Sequence, residues 1–240
     1  LAVQNFTSAT DSHNTAVGMS AGVAVTTGIK NTLLGSQAGD DITDGQQNVM
    51  LGYDAGNGLT TGDFSICIGS LARPSTSGGE FVIALGYNIS GDNNYFTVGK
   101  SGSDIRALHG NTTWSTVSDE RYKKDIEDST AGLSFINDLR PRTFKYKNLG
   151  ELPNTFNSYE EGSTEVFKNT NTNHGFIAQE VKTVIDAHSE IKDGFRFWDN
   201  REDGSQEVAE TALIPVLVKA IQELSAKNDA LEARIKTLEG

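Results

Sequence analysis

One short stretch of the chain combines a nucleophile with a potential base. Ser118 and Lys123 stand five residues apart in the run SDERYK. A serine hydroxyl is a poor nucleophile until a base removes its proton. A lysine can be that base where burial disfavours its ammonium form, and serine–lysine pairs are a known variant of the serine-nucleophile design. The residue types therefore allow acyl transfer, provided that the fold brings the two side chains together.

The spacing of the pair does not by itself build a site. Residues five apart lie about 140° apart around a straight helix and on opposite faces of a regular strand. Ser118 and Lys123 could therefore meet only across a turn, a helix start or a subunit boundary. Without further context, the same run is typical of a charged first helical turn with Ser118 as the N-cap.

Other ligand-binding and catalytic patterns are weak. The four histidines have no ligand spacing, and a single cysteine, Cys67, excludes an intrachain disulfide and a paired-cysteine zinc motif. Asp40, Asp41 and Asp44 fit a solvated turn better than a calcium site, and no phosphate-binding glycine loop precedes Lys-Ser or Lys-Thr. We expect no metal and no cofactor. The net charge of −12 argues against nucleic acid as a partner, and no apolar run is long enough for membrane insertion.

The elements that must position the pair fall into two segments of different composition. Residues 1–117 contain 18 of the 25 glycines and 13 charged side chains, whereas residues 118–240 contain 7 glycines and 39 charged side chains. The chain begins with Leu rather than Met and lacks a signal-peptide pattern, so we expect it to be part of a longer protein.

A repeat of seventeen residues dominates the first segment. An apolar residue followed by glycine recurs at Gly18, Gly35, Gly52, Gly69 and Gly86, and a shortened last coil places Gly99 thirteen residues later. Three further columns keep the period: Asn14, Asn31 and Asn48; the Ala-Gly pairs at 21–22, 38–39 and 55–56; and Gly28, Gly45, Gly62 and Gly79. One such unit cannot bury its apolar face alone, so the repeats predict stacked coils of a parallel β-solenoid, each with two short strands and two glycine turns.

The repeat units resemble a known family of folds. NTAVGMSAG, NTLLGSQAG and NVMLGYDAG are similar to the β-roll of the YadA-like head of trimeric adhesins. The resemblance covers about residues 14–99 and implies a homotrimer in which three rolls pack about a three-fold axis.

Four motifs follow one another in the second segment: SDERYK at 118–123 with Ile126, LRP at 139–141 with FKY at 144–146, HGFIAQEV at 174–181, and LIPVLVKAI at 213–221. In this order they resemble the motifs of another family, the endosialidase-type intramolecular chaperone domain of phage tailspikes and tail fibres.

The second resemblance implies a specific activity. Such domains drive trimerisation of the preceding β-structured fibre and then release themselves by autoproteolysis, with a serine and a lysine as catalytic dyad. Ser118 and Lys123 match these positions, which implies a serine endopeptidase acting once on its own chain. We expect the bond between Val117 and Ser118 to break, and we expect Asp119 and Arg121 to support the loop through a mutual salt bridge. Backbone N–H groups are the expected oxyanion donors.

The remaining patterns complete the predicted architecture. Residues 212–239 carry apolar heptad positions, with Ile214, Ile221 and Ile235 in one column and Leu217, Leu224, Leu231 and Leu238 in the other. Asn228 interrupts the isoleucine column, as in a coiled-coil seam whose register is specified by a polar residue. Residues 149–173 predict an exposed loop, and residues 194–208 predict a β-hairpin.

The predicted fold is therefore mixed. A leader at 1–13 precedes the solenoid at 14–99, a linker at 100–117 leads to the cut site, and an α+β chaperone domain at 118–240 ends in a long coiled-coil-like helix. Two functions remain open: a self-cleaving end of a viral tail fibre or tailspike, and a non-cleaving trimeric adhesin that retains a chaperone-like domain. Either would be made in the host cytoplasm and carried on the virion, with a host cell-surface receptor or glycan as partner of the fibre.

Overall fold

The computed structural model describes residues 12–191 and 194–240. The predicted leader at 1–13 therefore lies almost wholly outside the described residues. The chain forms two compact units, the first ending at Lys124 and the second spanning Asp125–Gly240. Residues 118–124, including Ser118 and Lys123, thus belong to the same compact unit as the glycine-rich repeats.

The predicted β-solenoid is confirmed and has about five turns. Its sheet has seven strands in the order β1-β2-β3-β4-β6-β8-β9, parallel throughout except for the last, antiparallel pair. The strands are β1 Thr15–Val17, β2 Thr32–Leu34, β3 Val49–Leu51, β4 Ile66–Ile68, β6 Ile83–Tyr87, β8 Tyr95–Lys100 and β9 Ser103–Leu108.

The second strand expected in every coil forms in only two coils. The short strands β5 Arg73–Pro74 and β7 Ser90–Gly91 pair with each other, while the corresponding stretches of the earlier coils are turns. Those stretches are rich in glycine and in residues with positive φ, which suit turns better than extended strands.

The second residue of β1, β2, β3, β4 and β6 points into the solenoid. These residues form one buried column: Ala16, Leu33, Met50, Cys67 and Ala84. The glycine that follows each of the strands β1 to β4 allows neighbouring coils to approach closely. Gly35 has a φ of 139°, and a Cβ at this position would overlap the carbonyl of Gly52 in the next coil.

A ladder of asparagine side chains joins successive coils inside the solenoid. Asn31 is fully buried; its Nδ2 donates to the carbonyl oxygen of Gly45 at 2.8 Å, and its Oδ1 accepts from the N–H of Asn48 at 2.9 Å. Asn48 repeats both bonds one coil later, with Gly62 and Ser65. The recurrent asparagines of the sequence therefore satisfy backbone groups that would otherwise be buried without a partner.

The described residues of the second unit form three α-helices and two small antiparallel sheets around a core of their own. Its elements are α1 Leu133–Asp138, β10 Arg142–Phe144, β11 Asn173–Gly175, α2 Ala178–Ala187, β12 Trp198–Asn200, β13 Gln206–Val208 and α3 Ile214–Glu239. Its fully buried aromatic side chains are Phe135 and Phe197. The paired strands β12 and β13 confirm the predicted hairpin.

Two of the sequence motifs meet in this unit through an ion pair. The guanidinium of Arg142 donates to both carboxylate oxygens of Glu180, at 2.9 and 2.5 Å, and Arg140 lies 3.8 Å from the same carboxylate. These bonds hold the pKa of Glu180 below its usual value. The motifs around 140 and 180 therefore stabilise the contact between β10 and α2.

The predicted terminal helix is confirmed as α3, which follows a 3₁₀ turn at Glu210–Leu213. Pro215 occupies its first turn, where a missing N–H costs no intrahelical bond. Val216 and Ala220 are buried against the second unit, whereas the heptad leucines and isoleucines are exposed. Among the described residues, no helix is both long and apolar enough to cross a membrane.

Candidate active site

The interval predicted as a linker, residues 100–117, contains structure that leads directly to Ser118. Strand β9 turns back along β8 through Ser101 and Gly102, and pairs with it from Lys100↔Ser103 to Tyr95↔Leu108. The chain then turns again, and Ser115 forms an antiparallel bridge with Arg106 of β9. The approach to Ser118 is thus fixed against the end of the solenoid sheet.

A single 3₁₀ turn, Glu120–Tyr122, separates Ser118 from Lys123. Asp119 is its N-cap, and its Oδ1 accepts from the backbone N–H of Arg121 at 2.9 Å. The Arg121 guanidinium donates to both oxygens of the same carboxylate, at 2.9 and 2.7 Å. The turn closes when the N–H of Lys123 donates to the carbonyl of Glu120 at 2.8 Å.

The turn brings the two candidate catalytic side chains into contact. The Nζ of Lys123 donates to the Oγ of Ser118 at 2.7 Å. This distance lies within hydrogen-bond reach for a nucleophile and a proton-transfer partner. The N-cap of the turn is Asp119 rather than Ser118, so the serine hydroxyl is left free to meet the lysine.

Asp119 and Arg121 form the salt bridge expected from the sequence. Hydrogen bonds from the Arg121 side chain and backbone, with a smaller contribution from the charge of Lys123, hold the pKa of the Asp119 carboxyl below its usual value. The carboxylate makes no contact with the Ser118 hydroxyl among the described residues. Its bonds therefore order the turn on which the dyad depends.

The site is open to solvent within one chain. Val117, Ser118 and Lys123 are exposed, and exposed residues extend without a buried interruption from 108 to 130. Apolar side chains are among them, with Tyr122 80% exposed and Ile126 63% exposed. Ser118 and Lys123 are therefore in hydrogen-bond contact, but the described residues of their own compact unit do not supply the desolvation that favours a neutral lysine.

A second polar cluster, centred on His188, was missed from the sequence. The imidazole is about one-tenth exposed, with Nε2 2.9 Å from an oxygen of Asp138 and Nδ1 2.9 Å from an oxygen of Glu190. Hydrogen bonds to Glu190 and Asp138 raise the pKa of His188. The ring also packs edge-on against Phe135 in the core. No serine, threonine or cysteine contacts this histidine in the described part of the chain, so the cluster clamps α1 to the end of α2.

The second unit also contains an open cleft of about 720 Å³. Aromatic rings of Phe144, Tyr146 and Phe167 form an edge-to-face series along it, and the Lys168 ammonium lies 5.3 Å from the centres of two of these rings. Across residues 12–191 and 194–240, no three side chains are grouped as metal ligands. The described residues therefore offer no metal centre next to the dyad or in this cleft.

A strand-like segment before Ser118 was also missed from the sequence. Ser115 and Thr116 hydrogen-bond to β9, although residues 100–117 were predicted to be a linker. The run TTWSTV at 112–117 is rich in β-branched and aromatic residues, and this composition was the available signal for a strand-like segment.

Comparison with known proteins supports the chaperone domain. Residues 118–190 match the family described as chaperone of endosialidase, which is linked to self-cleaving chaperone domains of phage tail proteins. The match begins at Ser118 and includes Lys123. No curated protein and no solved structure matches the chain, so the resemblance of the solenoid to a YadA-like head rests on its sequence motifs.

Proposed function

We propose that this chain is the C-terminal part of a phage tail fibre or tailspike. Its chaperone domain assists folding and homotrimerisation of the solenoid and is then released by autoproteolysis at Ser118. The observation that carries the proposal is the 2.7 Å contact between Lys123 Nζ and Ser118 Oγ at the start of the family match. The fibre would be made in the host cytoplasm and act on the virion, where it contacts a cell-surface receptor or glycan.

The proposed reaction begins as an acyl shift. Neutral Lys123 takes the proton of the Ser118 hydroxyl, and Oγ attacks the carbonyl carbon of Val117. The C–N bond between the two residues breaks, and the leaving nitrogen takes the proton back from the Lys123 ammonium. An ester then joins the Val117 acyl group to Ser118 Oγ. Water hydrolyses this ester, giving a carboxylate on Val117 and restoring the serine hydroxyl beside a free amino group.

In this proposal, assembly of several chains supplies the desolvation of Lys123 that a single chain lacks. An exposed ammonium is well solvated, whereas the reaction needs the neutral amine. Tyr122 and Ile126 present apolar surface close to the dyad in sequence, and both are exposed in one chain. In our proposal neighbouring copies cover this segment and desolvate Lys123. Cutting therefore follows trimer formation.

The outer face of the solenoid sheet supports a homotrimer. Strand register aligns one apolar side chain per strand in a single column, and none of these side chains is buried in one chain. The column consists of Val17, Leu34, Leu51, Ile68, Leu85, Val98 and Ile105. A contiguous apolar patch of this kind marks an interaction surface. Because the column follows the coil axis, a parallel copy can match it along its whole length.

The terminal helix offers a second surface for association. Ile221, Leu224, Leu231, Ile235 and Leu238 are each at least half exposed, and they follow the heptad spacing. In our proposal these residues pack against the same helix of neighbouring copies, with the Asn228 column fixing the register.

The dyad is tested by following the chain on a denaturing gel and by intact mass. Wild type should yield two pieces divided between Val117 and Ser118. Ser118→Ala removes the nucleophile and Lys123→Ala removes the base, so each variant should remain full length. Lys124→Ala is the matched control, because the neighbouring lysine is exposed and makes no ion pair with any described residue.

The outcome separates the two functions left open by the sequence. If Ser118→Ala is cut like wild type, the serine is not the nucleophile. If wild type stays in one piece, the chain is better described as a structural trimeric adhesin with a retained chaperone-like domain. Cutting of Lys123→Ala at the wild-type rate would leave the serine in place but remove the lysine from the proposal.

The role of assembly is tested with Leu51→Glu, which places a charge in the middle of the apolar column. Light scattering should give a trimer mass for wild type and a smaller mass for the variant, and the variant should cut slowly or not at all. Gln47→Glu is the control, since Gln47 is exposed at a corner of the same coil and lies outside the strands. A monomeric wild type that still cuts would contradict the assembly requirement.

A further inference from the structure

The stretch directly before the cut site lies along the edge of the solenoid sheet. The Ser115 N–H donates to the Arg106 carbonyl at 2.8 Å, and the Arg106 N–H donates to the Ser115 carbonyl at 2.9 Å. The Ser115 hydroxyl adds a bond to the same Arg106 carbonyl at 3.2 Å. One residue later, the Thr116 hydroxyl donates to the carbonyl of Asp104 at 3.0 Å. Four hydrogen bonds therefore hold the two residues that precede Val117.

An aromatic contact anchors the residue that precedes Ser115. The Trp114 indole packs edge-on against Phe96 of β8, with ring centres 5.4 Å apart. Aromatic pairs in this arrangement are favourable beyond their buried area. Trp114, Ser115 and Thr116 are thus fixed to the last hairpin of the solenoid, although their own surfaces remain exposed.

This is the geometry in which an extended peptide is bound by strand addition. Backbone hydrogen bonds to an edge strand supply affinity and fix the register of the bound segment. We propose that β9 is the substrate-binding strand of the self-cleavage reaction, and that Ser115 and Thr116 are positioning residues that hold the Val117 carbonyl in front of Ser118. The proposal rests on the cut between Val117 and Ser118 put forward above.

The proposal gives cutting a second requirement besides assembly. The position of strand β9 is fixed by its pairing with β8, and β8 is in turn paired with β6 of the preceding coil. The Arg106 side chain reinforces this end of the solenoid, because it forms an ion pair with Asp92 and lies 4.8 Å from the centre of the Tyr95 ring. The substrate is therefore held correctly only after the last coils have folded, and cutting reports their completion.

Positioning is tested by the rate of cutting after refolding from denaturant. Thr116→Val keeps the shape of the side chain but removes one hydrogen bond, so cutting should slow about 3- to 10-fold. Thr116→Ser retains the hydroxyl and should restore a rate near wild type. Thr113→Val is the matched control, because the Thr113 hydroxyl makes no hydrogen bond to the described residues.

The backbone bridge is tested at Ser115. Ser115→Pro removes the N–H that pairs with Arg106 and should slow cutting by about tenfold or more, whereas Ser115→Ala keeps the N–H and should stay within about threefold of wild type. Protection of the buried Cys67 thiol from alkylation is measured in parallel, to show that the solenoid is folded in each variant.

Wild-type rates in both Thr116→Val and Ser115→Pro would overturn the substrate-binding role of β9 while leaving the dyad intact. Slower cutting that is accompanied by reaction of Cys67 would place the effect in the fold of the solenoid and would also overturn it. Failure of wild type to cut is a different result, because it removes the proposed autoproteolysis itself and this inference with it.

Discussion

Asn48→Ala should strongly destabilise the solenoid, because Asn48 is one of the buried asparagines that join successive coils. The Asn48 side chain is fully buried; its Nδ2 donates to the carbonyl of Gly62 at 2.8 Å, and its Oδ1 accepts from the N–H of Ser65 at 2.9 Å. Alanine would leave both backbone groups without a partner. Each buried group left unsatisfied costs about 1–3 kcal/mol, so the free energy of unfolding should fall by about 2–6 kcal/mol.

The chain itself contains the matched control for this change. Ser65 occupies the equivalent position one coil later, where its hydroxyl donates to the Gly79 carbonyl at 3.0 Å and accepts from the Val82 N–H at 3.2 Å. A serine can therefore make both bonds of this position. Asn48→Ser should retain most of the stability that Asn48→Ala loses, with a cost of about 1 kcal/mol.

The assay is unfolding in denaturant, monitored by the alkylation of Cys67. The protein concentration is kept fixed, because assembly shifts the apparent stability. Cys67 lies inside the coil that follows Asn48, so its reaction reports opening of the solenoid rather than of the second unit. If Asn48→Ala lies within about 0.5 kcal/mol of Asn48→Ser, the ladder does not contribute what the hydrogen bonds imply.

Three further outcomes follow from the described contacts. Asp119→Ala removes the cap of the 3₁₀ turn, so cutting on the denaturing gel should be slower than in wild type. Asp119→Asn can still cap the turn and should cut faster than Asp119→Ala. Hydrogen bonds to Glu190 and Asp138 raise the pKa of His188 in the folded protein. The stability that protonated His188 contributes is therefore complete below about pH 6.5, the pKa of an unperturbed histidine, and is lost as the pH rises through the folded-state pKa. Thermal melts from pH 6 to 9 should show this loss in wild type but not in His188→Gln. Burial raises the pKa of the Cys67 thiol to about 12, so iodoacetamide at pH 8 should leave the folded protein unmodified in a mass measurement and label the unfolded protein.

The solenoid was predictable because its signal is repeated. Asn31, Asn48 and the glycines recur with one period, because every coil needs the same residue types at the same backbone positions. The strands therefore lie where the apolar-Gly pairs occur in the sequence. The number of strands per coil was less predictable. Turn-forming residues such as Asn57 and Gly58 occupy this part of the preceding coil, and only the last coils have an extended run such as Arg73–Pro74 opposite a partner.

Ser118 and Lys123 show what the sequence alone could not predict. The residue types of Ser118 and Lys123 indicated their chemistry, but the 3₁₀ turn that joins them depends on how the Asp119 side chain caps it, which spacing alone does not encode. Two other contacts join residues that no motif or repeat connects. The bridge from Ser115 to Arg106 and the pairing of His188 with Asp138, fifty residues apart, arise from tertiary folding and had no periodic pattern to indicate them.

The seventeen-residue period restricts how the length of this solenoid can vary. The asparagine ladder, the glycine contacts and the apolar outer column all depend on the same register, as Asn31, Gly35 and Leu34 do in one coil. An insertion of any other length inside the strands would break all three at once, whereas duplication of one whole unit would preserve them. Each added unit would lengthen the solenoid by one strand spacing, about 4.8 Å, without changing its cross-section. The length of the solenoid can therefore evolve in discrete steps, by duplication of one seventeen-residue unit at a time.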